Sequence, residues 1–329
     1  MHIWGVDRVT SLRLRLEVEF LWLLVSGRVG DMPVAPPVVL TIAGFDPSSG
    51  AGITADIKVI AAHECYGIAC ATALTVQSTQ GVRRVEEVEA KIVAETLAEL
   101  SSDFAIEAVH IGMLGNGGVA NAVADFLGAA RIPHVVLDPI LRSSSGAELL
   151  DPAGKQILVE RLFPLAEMVT PNLEEAAELS GMPTTGAVSS ETSDCGAALD
   201  AMRAAAGRLH ELGAANVVVT GGHLEKAIDL LSFSTARGFE QEVFKAARQR
   251  STSTHGTGCA FSTALACHLA HGRGLPEAVL LSKAYVSAAI ANAPPLGHGA
   301  GPLHHLYRMH RQQRRAALVI EPETAHSRK

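Results

Sequence analysis

Several features that mark protein classes are scarce or missing in this sequence. Aromatic residues make up 4% and charged residues 19% of the 329 positions, while hydrophobic residues reach 48%. That balance excludes wholesale disorder and supplies enough apolar side chain for a large core. Basic residues are in the minority, 27 Lys and Arg against 34 Asp and Glu, giving a formal net charge of -7. No global positive field is available for a phosphate backbone, so a nucleic-acid partner is not expected. The five cysteines, at positions 65, 70, 195, 259 and 267, form neither a CxxC pair nor a zinc-ligand spacing. An odd, scattered set fits packed thiols in a reducing compartment, and a cytoplasmic protein is expected. The apolar run Phe20 to Val25 is short and follows Glu17 and Glu19, so neither a membrane span nor a signal peptide is expected. There is no Walker A motif, which excludes a P-loop enzyme.

What is present is a repeating pattern that starts at Val38. Residues 1–34 are read as an N-terminal extension, either an upstream-start artefact or a segment without stable order. Residues 35–306 are read as one domain and residues 307–329 as a basic tail carrying Arg308, Arg311, Arg314 and Arg315. A solvated tail accounts for those arginines better than an RNA-binding arm. The runs VVLTIA, ACATALTV, AVHIGM, HVVLD, MVT and NVVVT read as buried parallel strands. Between them, segments 53–63, 91–103, 118–130, 153–162, 197–212, 260–271 and 276–292 carry apolar residues at helical spacing. This alternation predicts an α/β fold of three layers, α/β/α, around a mostly parallel sheet. Met182 to Cys195 reads as a surface insertion, and residues 230–244 as two short strands around a turn at Arg237-Gly238.

In an open α/β sheet, ligands bind beyond the carboxyl ends of the strands. Those ends are polar and glycine-rich here: AGFDPSSGAGITAD, Gln77-Ser78-Thr79, Gly112-Met113, Asp138-Pro139, Pro171-Asn172 and Gly221-Gly222-His223. In STSTHGTGCAFSTALACHLA, Gly256, Thr257 and Gly258 precede a helix beginning near Cys259. Backbone amides turned toward one point at a helix start can cradle a phosphoryl group. Taken alone, a glycine-rich turn capped by Thr257 explains the same residues. Asp138 and Glu175 could hold Mg²⁺, which favours oxygen ligands and retains waters. A turn-stabilising Asp and a Glu favouring a helix dipole are the alternatives. Cys259 at a helix start is expected to have a lowered thiol pKa, suited to taking a proton from an attacking hydroxyl, or else simply to fill space. His110, His223 and His255 read as polar walls or as structural histidines.

Seven motifs carry a family resemblance: AGFDPSSGAGITADIK, ALTVQSTQGV, IGMLG, LDPI, TPNLEEA, GGHL and HGTGCAFSTALA, in this order. Together they resemble hydroxymethylpyrimidine/phosphomethylpyrimidine kinases, over nearly all of residues 38–306. The resemblance implies a ribokinase-like fold and a kinase using ATP and Mg²⁺ on a small-molecule substrate in thiamine biosynthesis. It implies that Gly44, Asp56, Gln77, Met113 and Ile140 line a pyrimidine pocket. Asn172, Thr220 and Gly222 would meet the nucleotide, Asp138 and Glu175 the metal, and Gly256, Thr257, Gly258 and Cys259 would form the anion hole, with Cys259 as base. A homodimer is implied as well. The chain departs from many relatives in having Thr220 where they carry Lys, and in lacking a Lys in the loop after Asp138-Pro139, which leaves Arg142 as the cation at hand. Pyridoxal or pyridoxine kinase is the alternative enzyme, and a non-catalytic pyrimidine sensor the alternative of another class.

Overall fold

Val39 and Leu40 are adjacent, wholly buried, and belong to opposite layers of the molecule. Successive side chains of a strand point to opposite faces, so a strand apolar at both positions must be covered on both sides. The structure is a computed structural model that describes residues 34–143, 146–182, 195–221, 227–249 and 251–309.

The strands are β1 (Val38–Phe45), β2 (Tyr66–Ser78), β3 (Gly81–Glu87), β4 (Ile106–Ile111), β5 (His134–Leu137), β6 (Met168–Val169), β7 (Val217–Gly221), β8 (Ala227–Thr235) and β9 (Gly238–Ala246). They form a nine-stranded sheet in the order β3-β2-β1-β4-β5-β6-β7-β8-β9. Pairings from β2 through β7 are parallel, and those of β3, β8 and β9 at the two edges are antiparallel. The helices are α1 (Gly52–Ala62), α2 (Ala90–Asp103), α3 (Gly117–Ala130), α4 (Pro152–Ile157), α5 (Leu173–Leu179), α6 (Cys195–Glu211), α7 (Thr257–Ala270) and α8 (Leu275–Ala291). Helices α1, α7 and α8 bury Ile60, Phe261, Leu265 and Val279 against Val39, Val136 and Val218 on one face. Helices α2, α3, α5 and α6 cover the other face, where Leu97, Val123, Ala176 and Met202 meet Leu40, Ile42 and Val219. The three layers and the mostly parallel sheet are those expected from the alternation of patterns.

Three details differ from the sequence expectation. The run ACATALTV was read as wholly buried, yet only the first half of β2 lies beside β1. Its second half leaves the core with Leu74 and Val76 each 53% exposed. There it pairs with β3, which was not anticipated, and the two form a flap. The stretch 153–162 is not one helix, because α4 gives way to a π turn at Leu158–Leu162 and a 3-10 turn at Phe163–Leu165. Pro164, in that last turn, has no N–H to continue an i→i−4 ladder. The expected insertion after Met182 lies outside the described residues at 183–194. Strands β8 and β9 meet around Arg237-Gly238 as the pattern predicts.

Candidate active site

Two glycine loops press against each other above the sheet. Gly256 has φ +78°, and a Cβ there would stand 2.0 Å from the carbonyl oxygen of Gly50. Gly52 has φ +61°, and a Cβ there would stand 2.2 Å from the carbonyl oxygen of Gly44. Only glycine fits at either position, on backbone angle and on space. The loop after β1 is thereby clamped to the start of α7. Gly256 is the N-cap of α7, and no side chain caps it; the Thr257 cap considered from the sequence is not formed. The first-turn amides of Thr257, Gly258 and Cys259 are thus left for a ligand, with the positive end of the helix dipole behind them.

Asp138, at the end of β5, is 5% exposed and lies beneath this turn, its Oδ2 placed 3.7 Å from where a Cβ of Gly258 would be. Burial, together with the charge of Asp56, pushes its carboxyl up to about 6 against the pull of His110 and Ser262. Glu175 is pushed up to about 8, by burial first and then by the charge of Asp138. Asn172 and Glu175 form a capping box at the start of α5: the Asn172 side chain accepts from the Glu175 N–H at 2.9 Å, and the Glu175 carboxylate accepts from the Asn172 N–H at 3.0 Å. The helix-terminal role considered for Glu175 is therefore present, and its carboxylate also feels Asp138. Thr220 is bridged to Asn172 across the ends of β6 and β7. Gly222 and His223, expected beside it, lie outside the described residues.

Of the residues expected to line the pyrimidine pocket, Met113 lies against Gly44 and packs with Ile140, while Gln77 lies beside His255 and Thr75. The Met113 sulfur would be 2.9 Å from a Cβ at Gly44, so that position has no room for a side chain. Ala73, Met113 and Leu149 form a small apolar cluster against which Val85 and Ile140 pack. Val85 comes from β3, and neither it nor Leu149 was anticipated. Asp56 was expected to line the same pocket. It is wholly buried, accepting from Thr41 at 2.7 Å and Thr263 at 2.9 Å, with His110 Nδ1 at 3.3 Å. Burial disfavours a charged His110 ring, but the Asp56 charge and hydrogen bond, with Asp138, outweigh it and raise its pKa. Asp56 thus belongs to the supports beneath the site.

Two further expectations are corrected. The Cys259 thiol is not activated: burial raises its pKa well above the ordinary value, and the carboxylates of Asp138, Asp56 and Glu175 add to this, outweighing the Gly52 amide. Arg142 is not a free cation, because Glu178 holds it in an ion pair and Glu148 stands 3.7 Å away. Sequence reasoning gave no role to Asp46, although it lies in a quoted motif. It accepts from Ser48 N at 2.8 Å, Ser48 Oγ at 2.7 Å and Ala51 N at 3.0 Å, and His255 Nε2 lies 2.8 Å away. Burial works against its ionisation, yet these hydrogen bonds hold the carboxyl below the usual range. The Asp-Pro-Ser-Ser-Gly string was the signal that this side chain folds back on its own loop.

An uncapped helix start, glycine loops clamped beside it, carboxylates beneath it and the small apolar cluster around Met113 define a small-molecule kinase of the ribokinase-like class. A solved structure of Bacillus subtilis pyridoxal kinase in complex with ADP superposes with a TM-score of 0.72 at 33% identity, covering 84% of this chain and 100% of that one. The model of the phosphomethylpyrimidine kinase family matches residues 46–304, and the chain belongs to that family. A hydroxymethylpyrimidine/phosphomethylpyrimidine kinase of Streptomyces coelicolor is 39% identical over 83% of this chain and 96% of its own length. A bifunctional thiamine biosynthesis protein of Geobacter sulfurreducens is 43% identical over 82% of this chain, which spans 52% of that longer protein.

Proposed function

We propose that the protein transfers the γ-phosphoryl group of ATP to the hydroxymethyl oxygen of 4-amino-5-hydroxymethyl-2-methylpyrimidine, and then a second one to the resulting monophosphate. The diphosphate is the pyrimidine unit for thiamine. The observation that carries this reading is the uncapped α7 start with the Asp138 carboxylate beneath Gly258; Gly44, Gln77, Met113 and Ile140 are assigned to the pyrimidine. Residues 35–306 form the kinase domain in this reading, supported by the family match over 46–304.

In each transfer the bond from the γ-phosphorus to the β,γ-bridging oxygen of ATP breaks, and a bond to the acceptor oxygen forms in line with it. Amides of Gly256 to Cys259 would stabilise the migrating group, since positioning and charge stabilisation dominate phosphoryl transfer. Asn172 and Thr220 lie on the side assigned to the nucleotide, as Gly222 is by resemblance. Two buried acidic side chains, of which Asp138 raises the pKa of Glu175, are suited to a divalent cation, so Asp138 and Glu175 would hold Mg²⁺ with waters. When bound, Mg²⁺ would neutralise phosphate charge. By resemblance Cys259 is the proton acceptor of the first transfer, a role that needs its thiolate, which burial first and then the carboxylates beside it disfavour. The monophosphate needs no such base, because its second pKa lies near ~6 and the acceptor oxygen is already anionic.

Product analysis after incubation with ATP, Mg²⁺ and the free pyrimidine tests this. Successive mono- and diphosphate are expected, and ATP consumption that does not respond to the pyrimidine would leave only a sensor. The superposition on a pyridoxal kinase favours a second reading, phosphorylation of pyridoxal; side-by-side kcat/KM values decide it, and a preference for pyridoxal would overturn ours. We also assign a homodimer, supported by the exposed Leu74 and Val76 of the flap, and a cytoplasmic location. No helix among the described residues is long and apolar enough to cross a membrane.

A further inference from the structure

His255 stands between Asp46 and Gln77 and meets both through the same ring nitrogen. Its Nε2 lies 2.8 Å from Asp46 Oδ2 and 3.1 Å from Gln77 Nε2. The edge of the imidazole meets Gly50, where a Cβ would come within 2.2 Å of its Cδ2. On the far side of Gln77, Thr75 Oγ1 lies 3.0 Å from the amide oxygen and 3.0 Å from the carbonyl oxygen of Phe45.

These contacts fix the protons. Asp46 already accepts three hydrogen bonds from Ser48 and Ala51, as an ionised carboxylate does, and a carboxylate can only accept. His255 Nε2 must therefore carry the hydrogen of the 2.8 Å contact. A protonated Nε2 cannot also accept from the Gln77 amino group, so that setting of the amide brings two donors together at 3.1 Å. It also asks the single Thr75 hydroxyl hydrogen to serve both Phe45 and Gln77. Side-chain amides have the same shape when turned over, and the hydrogen-bond network decides their setting. Turned by half a rotation, the Gln77 oxygen and Asp46 Oδ2 share the single Nε2 hydrogen of His255 in a three-centre bond, and the Gln77 amino group donates to Thr75 Oγ1. Thr75 then donates to Phe45, and no two donors face each other.

We propose that His255 is a positioning residue for acceptor recognition: held by Asp46, it locks the Gln77 amide with its carbonyl toward His255 and its amino group toward Thr75. The outer edge of the amide then offers donor and acceptor in one fixed order. This rests on the reading that Gln77 meets the ring. A 4-aminopyrimidine presents a ring-nitrogen acceptor beside an exocyclic amine donor. The 4-oxo analogue in its N3–H form presents the reverse order. A free amide serves both rings by turning over, whereas a locked amide serves one and leaves buried groups unpaired with the other, a loss of about 10- to 100-fold.

The test compares kcat/KM for the 4-amino and 4-oxo hydroxymethylpyrimidines in five proteins. The full-length chain should prefer the amino compound by at least about tenfold. His255→Leu, which keeps the bulk and removes the donor, should reduce that ratio several-fold while KM for ATP changes less than about twofold. His255→Gln restores an N–H near the same place and should bring the ratio back. His255→Leu added to Gln77→Ala should leave the ratio of Gln77→Ala unchanged. An unaltered ratio in His255→Leu, with Gln77→Ala collapsing it, overturns the lock and leaves the function standing. If Gln77→Ala changes neither the ratio nor KM for the pyrimidine, the assignment of Gln77 to the ring fails instead. Should His255→Leu not fold, the His255→Gln and Gln77→Ala proteins decide: a His255→Gln ratio equal to that of Gln77→Ala counts against the lock.

Discussion

Asn172 and Glu175 cap each other: each side chain accepts from the other's backbone N–H, at 2.9 and 3.0 Å. A residue assigned to the nucleotide and one assigned to the metal are thus a single mechanical unit, fixed to the first turn of α5. Glutamine can replace glutamate in such a box, because its amide oxygen also accepts. Glu175→Gln should therefore melt no lower than the parent chain while the Mg²⁺ concentration needed for half-maximal rate rises at least about tenfold. Asn172→Ala should cost about 1 kcal/mol of stability. Urea melts and Mg²⁺ titrations of the two variants separate the roles, and an unchanged Mg²⁺ requirement in Glu175→Gln would remove Glu175 from the metal.

The same carboxylates set a pH dependence. In the unfolded chain both ionise near about 4, whereas in the folded site Asp138 keeps its proton to about 6 and Glu175 to about 8. Through that interval the native state binds more protons than the unfolded one, so cation-free stability falls as pH rises from about 4 to about 8 and levels off above. Mg²⁺ binds the ionised pair, so the stabilisation it confers should grow over the same interval. Thermal melts across this range with and without millimolar Mg²⁺ and a non-hydrolysable ATP analogue check it. A cation-free melting temperature indifferent to pH would contradict the raised pKa values of the two carboxyls.

Two glycines of the cradle should respond differently. Gly256→Ala places a Cβ 2.0 Å from Gly50 oxygen at φ +78°, and should lose at least about 2 kcal/mol with nearly all activity. Gly258→Ala meets only Asp138 Oδ2 at 3.7 Å, ordinary contact. It should fold normally yet lose about 10²-fold in kcat, by crowding the amides that receive the phosphoryl group. Near-parental kcat in a folded Gly258→Ala enzyme would argue against the cradle.

Cys259 faces opposing requirements, since burial and three carboxylates keep its proton on, while the alcohol in the first transfer needs a proton acceptor. Cys259→Ala should slow phosphorylation of the free pyrimidine by at least about tenfold and that of the monophosphate by less than about threefold. Rapid-quench measurement of each step checks this, and equal losses would reassign the side chain to packing.

How much of this could be read from the residues depended on how local the cause was. Strands β1, β4, β5 and β7 are covered on both faces, so they announce themselves as unbroken apolar runs, and the helices between them showed their periodicity to within a few residues. The string Pro171-Asn172-Leu173-Glu174-Glu175 carried its capping box openly. Strand β3 did not, because Gly81–Glu87 is largely exposed and its valines alternate with charge without a core to mark them. The bond between Asp46 and His255 joins residues 209 positions apart, and no spacing rule reaches that far. The thiol of Cys259 was misjudged for a related reason. A helix start alone lowers a thiol pKa, but Asp138, Asp56 and Glu175 arrive from three other elements and reverse the outcome. Asp56 shares the inward stripe of α1 with Val59 and Ile60, a register that fits support better than a place at the mouth.

One strand, β2, begins in the core and ends in the open. Its inner half is immobilised by parallel pairing to β1, while its outer half carries Gln77 and pairs with β3, where Val85 adds to the wall opposite Met113. The portion of the site assigned to the acceptor can therefore accept new side chains at a cost borne by solvent-facing positions, while the portion assigned to phosphate is built into load shared with the whole molecule. Nature, or an engineer, can alter what is phosphorylated far more cheaply than how.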